Sequence, residues 1–209
     1  MDPCEHTSHF LIHGQYLGQN MGPAPQAKLV PQFGHCRTML HHNIRMPSPY
    51  GWVEEVRRSS DPPFMEKDDD RLLWRGRNTG IMHGPKTLWQ NMHRNYLMRH
   101  ANDVKGTMEV LETNVTRTEP VGAPKTVRKS RVNPGVMDVA YALSPIMCRP
   151  EAICKQLEKI FPFRPYQNEE EAGNYKYVLD IDGNGWSGRF KRLMTTNSLV
   201  FKTTIYPEW

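Results

Sequence analysis

No stretch of this sequence approaches the roughly 20 consecutive apolar residues that a membrane span requires. The opening Met1-Asp2-Pro3-Cys4-Glu5-His6 lacks the basic-then-apolar order of a signal peptide. The sequence as it stands therefore predicts a soluble chain. Cysteine is scarce: Cys4, Cys36, Cys148 and Cys154 are too few and too scattered to declare a disulfide framework, which leaves the redox compartment open. Apolar residues are also sparse, at 38% of 209, so the core should be lean. Acidic side chains number 22 against 27 Lys and Arg, and the excess of positive charge favours an anionic partner, whether nucleic acid, membrane surface or phosphorylated small molecule.

Turn-forming residues are plentiful instead. With 17 prolines and 15 glycines, long irregular connections are expected. Residues 1–50 hold six of the nine histidines and little periodicity, which predicts a loop-rich segment wrapping another part of the protein. The histidine spacing matches no common zinc site, since His41 and His42 are adjacent. Trp52 to Arg57 is a candidate short helix ended by Asp61-Pro62-Pro63, and Glu66 to Asp70 a charged turn. Leu72-Leu73-Trp74 reads as a strand entering the polar loop Arg75-Gly76-Arg77-Asn78-Thr79-Gly80. Thr87 to His100 has near-helical apolar spacing with Thr87 as cap. Met108 to Glu112 predicts a strand, Arg117 to Arg131 a basic surface loop, and Pro150 to Phe161 a helix. The basic stretch has no interleaved aromatics and no known binding motif, so nucleic acid is not expected as a partner. Asn114-Val115-Thr116 is a glycosylation sequon, usable only in the secretory pathway.

The last forty residues are the most legible. Tyr175 to Ile181 reads as a strand, Ser187 to Thr196 as a helix with Phe190, Leu193 and Met194 on one face, and Ser198 to Lys202 as a second strand. Strand, glycine-rich turn, helix and strand in that order make a βαβ unit of an open parallel sheet. Its turn, Asp182-Gly183-Asn184-Gly185-Trp186-Ser187-Gly188-Arg189, sits where such sheets bind ligands. The following helix would aim its free N–H groups at an anion there. Ser187 offers a hydroxyl and Arg189 a two-pronged cation for a diphosphate. Three other readings of the stretch are weaker. A calcium loop fails because its twelfth position is Lys191. Asp180-Ile181-Asp182 imitates a metal-nucleotide Asp-x-Asp, although Asp180 falls inside the predicted strand. Gly183-x-Gly185-x-x-Gly188 fits dinucleotide spacing but finds only Glu208 for its acidic ribose partner.

Several segments taken together resemble a known family. They are Pro47-Ser48-Pro49-Tyr50, Leu73-Trp74-Arg75-Gly76 with Asn78-Thr79-Gly80, His93-Arg94, and the long run from Tyr175 to Phe190. Pro3-Cys4 with His13-Gly14 fits the preceding section. The chain is similar to the capsule-associated-protein type glycosyltransferases, glycosyltransferase family ninety, which include fungal capsule xylosyltransferase-like proteins and protein O-glucosyltransferases. The resemblance implies an α/β fold of two facing Rossmann-like domains, called GT-B, of which this chain would be mostly the donor-binding half. Residues 1–70 would be a loop-rich remnant of the preceding part, and residues 71–209 a UDP-sugar-binding domain truncated at its C-terminus. A UDP-sugar would be the donor substrate, a glycan or protein hydroxyl the acceptor, and a divalent metal would not be required.

By the same resemblance, Asn184, Gly185, Trp186, Ser187, Gly188 and Arg189 wrap the donor diphosphate, and Arg75, Gly76, Arg77 and Thr79 line the same site, with His83 and Arg94 nearby. Relatives often carry Ser where this chain has Arg77. The family's catalytic Asp finds no counterpart here, so the catalytic residue stays unassigned and an inactive remnant is the alternative reading. Relatives work in the Golgi or endoplasmic reticulum, often through a membrane anchor absent from this chain.

Overall fold

The computed structural model describes residues 4–18, 27–49, 60–113 and 121–208. In chain order its helices are α1 (His9–Ile12), α2 (Gly14–Leu17), α3 (His93–Asn102), α4 (Lys129–Val136), α5 (Glu151–Ile160), α6 (Glu169–Gly173) and α7 (Phe190–Leu193). The strands are β1 (Phe33–Gly34), β2 (Ile44–Arg45), β3 (Asp69–Gly76), β4 (Thr107–Thr113), β5 (Val121–Arg128), β6 (Met137–Ala142), β7 (Phe163–Arg164), β8 (Tyr175–Ile181) and β9 (Leu199–Thr203).

The centre is a parallel sheet in the order β7-β6-β3-β8-β9. In chain order this reads 3-2-1-4-5: the chain steps from β3 through β6 to β7, then returns to the other side of β3 and continues outward. The point of reversal lies between β3 and β8, and a crevice opens at the carboxyl ends of strands at such a reversal. A mixed α/β chain with a five-strand parallel sheet flanked by helices is compatible with a Rossmann-like fold.

Parallel strands covered on both faces need apolar side chains in both directions, and β6 supplies them with Val139, Ala140, Tyr141 and Ala142 all buried. One face packs Trp74, Val139, Tyr141 and Ile181 against Met98 of α3 and Leu157 of α5. The other packs Leu73, Tyr175 and Val178 against Leu193 of α7 and Ala172 of α6. The second face also carries a buried charge cluster. Asp138 of β6 accepts hydrogen bonds from Arg75 Nη2 at 2.5 Å, Arg164 Nη1 at 2.7 Å and the Tyr175 hydroxyl at 2.5 Å. Burial resists ionisation of Asp138, but the hydrogen bonds from Tyr175 and Arg75 outweigh it and hold the carboxyl below its ordinary range.

Several expectations are corrected. The helix predicted over 187–196 is a single turn, α7, because Ser187 Oγ is held by Asp180 and Gly183 N bonds Trp186 O at 2.8 Å, so residues 182–189 stay a turn. Of its predicted apolar face only Leu193 is buried, and Met194 is exposed. One turn has no macrodipole to offer, so the helix-terminus argument for anion binding falls. The basic loop predicted over 117–131 is, in its described part, the strand β5 followed by α4; β5 pairs with β4 in an antiparallel hairpin whose register runs from Thr107↔Arg128 to Thr113↔Val121. Thr87 does not cap α3: its hydroxyl donates to Met82 O at 2.8 Å, and the helix starts at His93. The charged turn over 66–70 ends early, since Asp69 and Asp70 already belong to β3, as do Arg75 and Gly76 at its far end. Two of the cysteines pair, Cys148 with Cys154. The candidate helix at 52–57 and the sequon at 114–116 lie outside the described residues.

The N-terminal stretches pack over the carboxyl ends of the strands. Gly14 lies so close to Gly80 that a Cβ there would overlap the Gly80 carbonyl oxygen. Residues 33–48 lie against the last described residues, with Arg37 N bonding Pro207 O at 3.3 Å and Arg45 Nη1 bonding Glu208 O at 3.2 Å.

Candidate functional site

The loops leaving β3, β6 and β8 surround a cavity of about 460 Å³ at the point of strand reversal. Arg75 and Gly76 end β3, Arg77 and Thr79 follow it, Ala142 ends β6 and Leu143 follows it, and Gly183 to Arg189, Gly185 apart, line the cavity after β8. Every predicted donor-site residue except Gly185 borders this cavity: Arg75, Gly76, Arg77, Thr79, Asn184, Trp186, Ser187, Gly188 and Arg189. Gly185 serves the turn instead, at φ +85°, a left-handed conformation that a side chain would disfavour.

The walls are braced by side chains from neighbouring loops. Asn78, fully buried, donates to Ile146 O at 2.6 Å and accepts from Ile146 N at 2.8 Å, which ties the loop after β3 to the loop after β6. Asn184 Oδ1 accepts from Gly80 N at 3.0 Å, tying the loop after β3 to the turn after β8. From the first turn of α3, Arg94 donates to Asp182 O at 2.8 Å, Ile181 O at 2.9 Å, Arg77 O at 2.6 Å and Thr79 Oγ1 at 2.8 Å. Burial, helped by the like charge of Arg189, pulls its guanidinium down to about 10, which still leaves it charged at neutral pH.

Beside Arg94, His93 Nε2 donates to Asp182 O at 2.7 Å while its Nδ1 accepts from Gly14 N at 3.2 Å. That pattern fixes a neutral ring, and burial first, then the neighbouring His13, holds its pKa well below the ordinary value.

The acidic pair of the strand-to-turn junction faces inward. Asp180 is held by Ser187 Oγ and by Lys202 Nζ at 2.7 Å. Asp182 Oδ2 accepts from Thr204 Oγ1 at 2.7 Å and Ile205 N at 3.2 Å, with His13 Nε2 at 3.3 Å. Neither carboxylate borders the cavity. His83 is also absent from the cavity wall; it is buried, with Nδ1 bonded to Met147 O at 3.2 Å.

Three guanidinium nitrogens on cavity-bordering residues are buried without a hydrogen-bond acceptor among the described residues: Arg75 Nε, Arg77 Nε and Arg189 Nη2. Arg75 is otherwise occupied by Asp138. Arg189 donates to Arg75 O, lies over the Trp74 ring at 5.7 Å, and comes no nearer than 4.0 Å to Asp180 Oδ1. Burial therefore lowers its pKa more than Asp180 raises it. Buried donors without acceptors are costly, and the cavity wall itself holds Arg75, Arg77, Arg94 and Arg189 and, among the described residues, no carboxylate, a balance of charge that favours an anion. Arg75 and Arg94 hydrogen-bond within the protein and also border the cavity, beside Arg77 and Arg189. Leu143 and Tyr166 also border the cavity and no motif marked them. No family model, curated protein or solved structure matches the chain.

Proposed function

We propose that this cavity receives the diphosphate of a UDP-sugar and that the chain is a donor-binding part of a glycosyltransferase of the capsule-associated-protein type, with a glycan or protein hydroxyl as acceptor. The observation that carries the reading is a 460 Å³ cavity at the reversal of a parallel sheet whose wall holds Arg75, Arg77, Arg94 and Arg189 and, among the described residues, no carboxylate. A sugar-nucleotide leaving group develops negative charge on its diphosphate, and fixed positive groups in a partly dry site stabilise that charge. The arginines supply it without a divalent ion. The GT-B arrangement and the Rossmann identity of this half belong to the same proposal, as does a Golgi or endoplasmic reticulum location. The Cys148–Cys154 pair supports an oxidising compartment.

A second reading, nucleotide binding without transfer, is favoured by one observation. Asp138, Asp180 and Asp182, the buried carboxylates at and behind the site, each accept from the protein's own donors and none of them borders the cavity where an acceptor would be deprotonated.

Calorimetric titration of UDP into the purified chain, with EDTA or Mn²⁺, tests the first reading. Binding that is independent of Mn²⁺ and at least tenfold weaker in Arg189→Ala is expected. A folded wild type that binds no UDP under either condition refutes it. Transfer of label from UDP-sugars to acceptor glycans or to water separates the two readings.

A further inference from the structure

We infer that Leu143 and Tyr166 form the wall that receives the planar base of the nucleotide, an assignment that rests on the nucleotide reading above. The cavity is chemically two-sided. Guanidinium groups border it from the loops after β3 and β8, whereas the loops after β6 and β7 contribute Leu143 and Tyr166. Phosphate or sulfate alone would use only the first side.

Leu143 is unusual by conformation. It stands at φ +62°, where glycine or asparagine is favoured and a leucine is strained. Its backbone is fixed there because Leu143 N donates to Arg164 O at 2.8 Å, one step beyond the Ala142↔Arg164 pair of β6 and β7. Yet the residue is 48% exposed, so core packing does not account for a large apolar residue at this position. Strain of this kind gathers at binding sites. Tyr166 follows Pro165 just after β7 and is 63% exposed, an aromatic ring presented at the rim of the cavity. The loops after β7 and β8 are separated by three strand spacings, roughly 14 Å, room for a nucleoside beside its diphosphate. A base stacked on the tyrosine and resting on the leucine makes use of both the exposure and the strain.

The assignment separates base from diphosphate, and so does its test. UDP and inorganic pyrophosphate are titrated calorimetrically into wild type, Tyr166→Ala and Leu143→Gly. Tyr166→Ala should weaken UDP about tenfold or more and leave pyrophosphate within about twofold of wild type. Leu143→Gly should act in the same direction on UDP without lowering the melting temperature, because glycine suits the left-handed backbone. The wall is overturned if UDP affinity is unchanged in both variants, or if pyrophosphate weakens in step with UDP. Equal affinity of the wild type for UDP and pyrophosphate also overturns it, while leaving the anion site standing. A wild type that binds neither removes the nucleotide reading and this assignment with it.

Discussion

Asp138→Asn is the perturbation that most directly tests how the sheet carries its buried charge. The substitution keeps the shape and removes the charge that Arg75, Arg164 and Tyr175 share. The partners differ in what they can do next. The Arg164 side chain is 51% exposed and can turn to water, whereas that of Arg75 is 8% exposed and cannot. The cost is therefore that of one stranded guanidinium, about 3–5 kcal/mol. In a chain of this size each kcal/mol moves the midpoint by about 2–4 °C, so differential scanning calorimetry should record a fall of roughly 6–20 °C. A double variant, Asp138→Leu with Arg75→Met, exchanges the pair for apolar groups and should recover most of the loss. A pH series adds a sign. The folded pKa of Asp138 lies below its unfolded value, so its contribution is present above about pH 3.9 and is lost as pH falls further. A single-variant loss below about 1 kcal/mol, or a double variant as unstable as the single, would refute the argument that an unpaired charge dominates.

Two further outcomes are expected. His93 is neutral in the fold and its pKa is depressed, so its contribution to stability is complete above about pH 6.5 and is lost as pH falls below that value. Between pH 7.5 and 5.5 urea unfolding should show a decline in stability from this group, and His93→Gln, which keeps a donor toward Asp182 O, should flatten that part of the profile; an unchanged profile would refute it. Gly14→Ala places a methyl group against the Gly80 carbonyl and should lift residues 9–17 away from the turn. A local cost of about 1–3 kcal/mol should appear as amide exchange accelerated at least about fivefold in that segment, and protection equal to wild type would show that the contact does not hold it.

How much of this was legible in the sequence depends on whether the signal was continuous along the chain. β3 and β8 were readable because Leu72-Leu73-Trp74 and Tyr175 to Ile181 are compact apolar runs, and α5 because Pro150 marks its start. β6, which completes the cavity, passed unrecognised: Met137-Asp138-Val139-Ala140-Tyr141-Ala142 has two alanines and a buried aspartate whose partners lie on three other strands. α7 was overextended because Phe190, Leu193 and Met194 mimic helical spacing, while hydrogen bonds from within the turn stop the helix short. The hairpin of β4 and β5 read half as loop since its second strand is exposed along most of its length and needs no apolar pattern. The glycine-rich turn located the site, but the opposite wall did not announce itself. Leu143 and Tyr166 lie 23 positions apart on loops brought together only by the β6–β7 pairing, and a left-handed leucine leaves no mark in composition.

Arg94 has a consequence for the thermodynamics of recognition. One guanidinium reaches acceptors on both sides of the strand reversal, from Arg77 and Thr79 on one loop and Ile181 and Asp182 at the other. A lysine has neither the planar fork nor enough donors to span them. The loops so joined are ordered before a ligand arrives, and the entropy lost in ordering them falls on the folding equilibrium rather than on association. A ligand entering the cavity meets a receptor whose shape has already been decided at the foot of a helix, by a residue that ties the loops together and itself stands in the cavity wall.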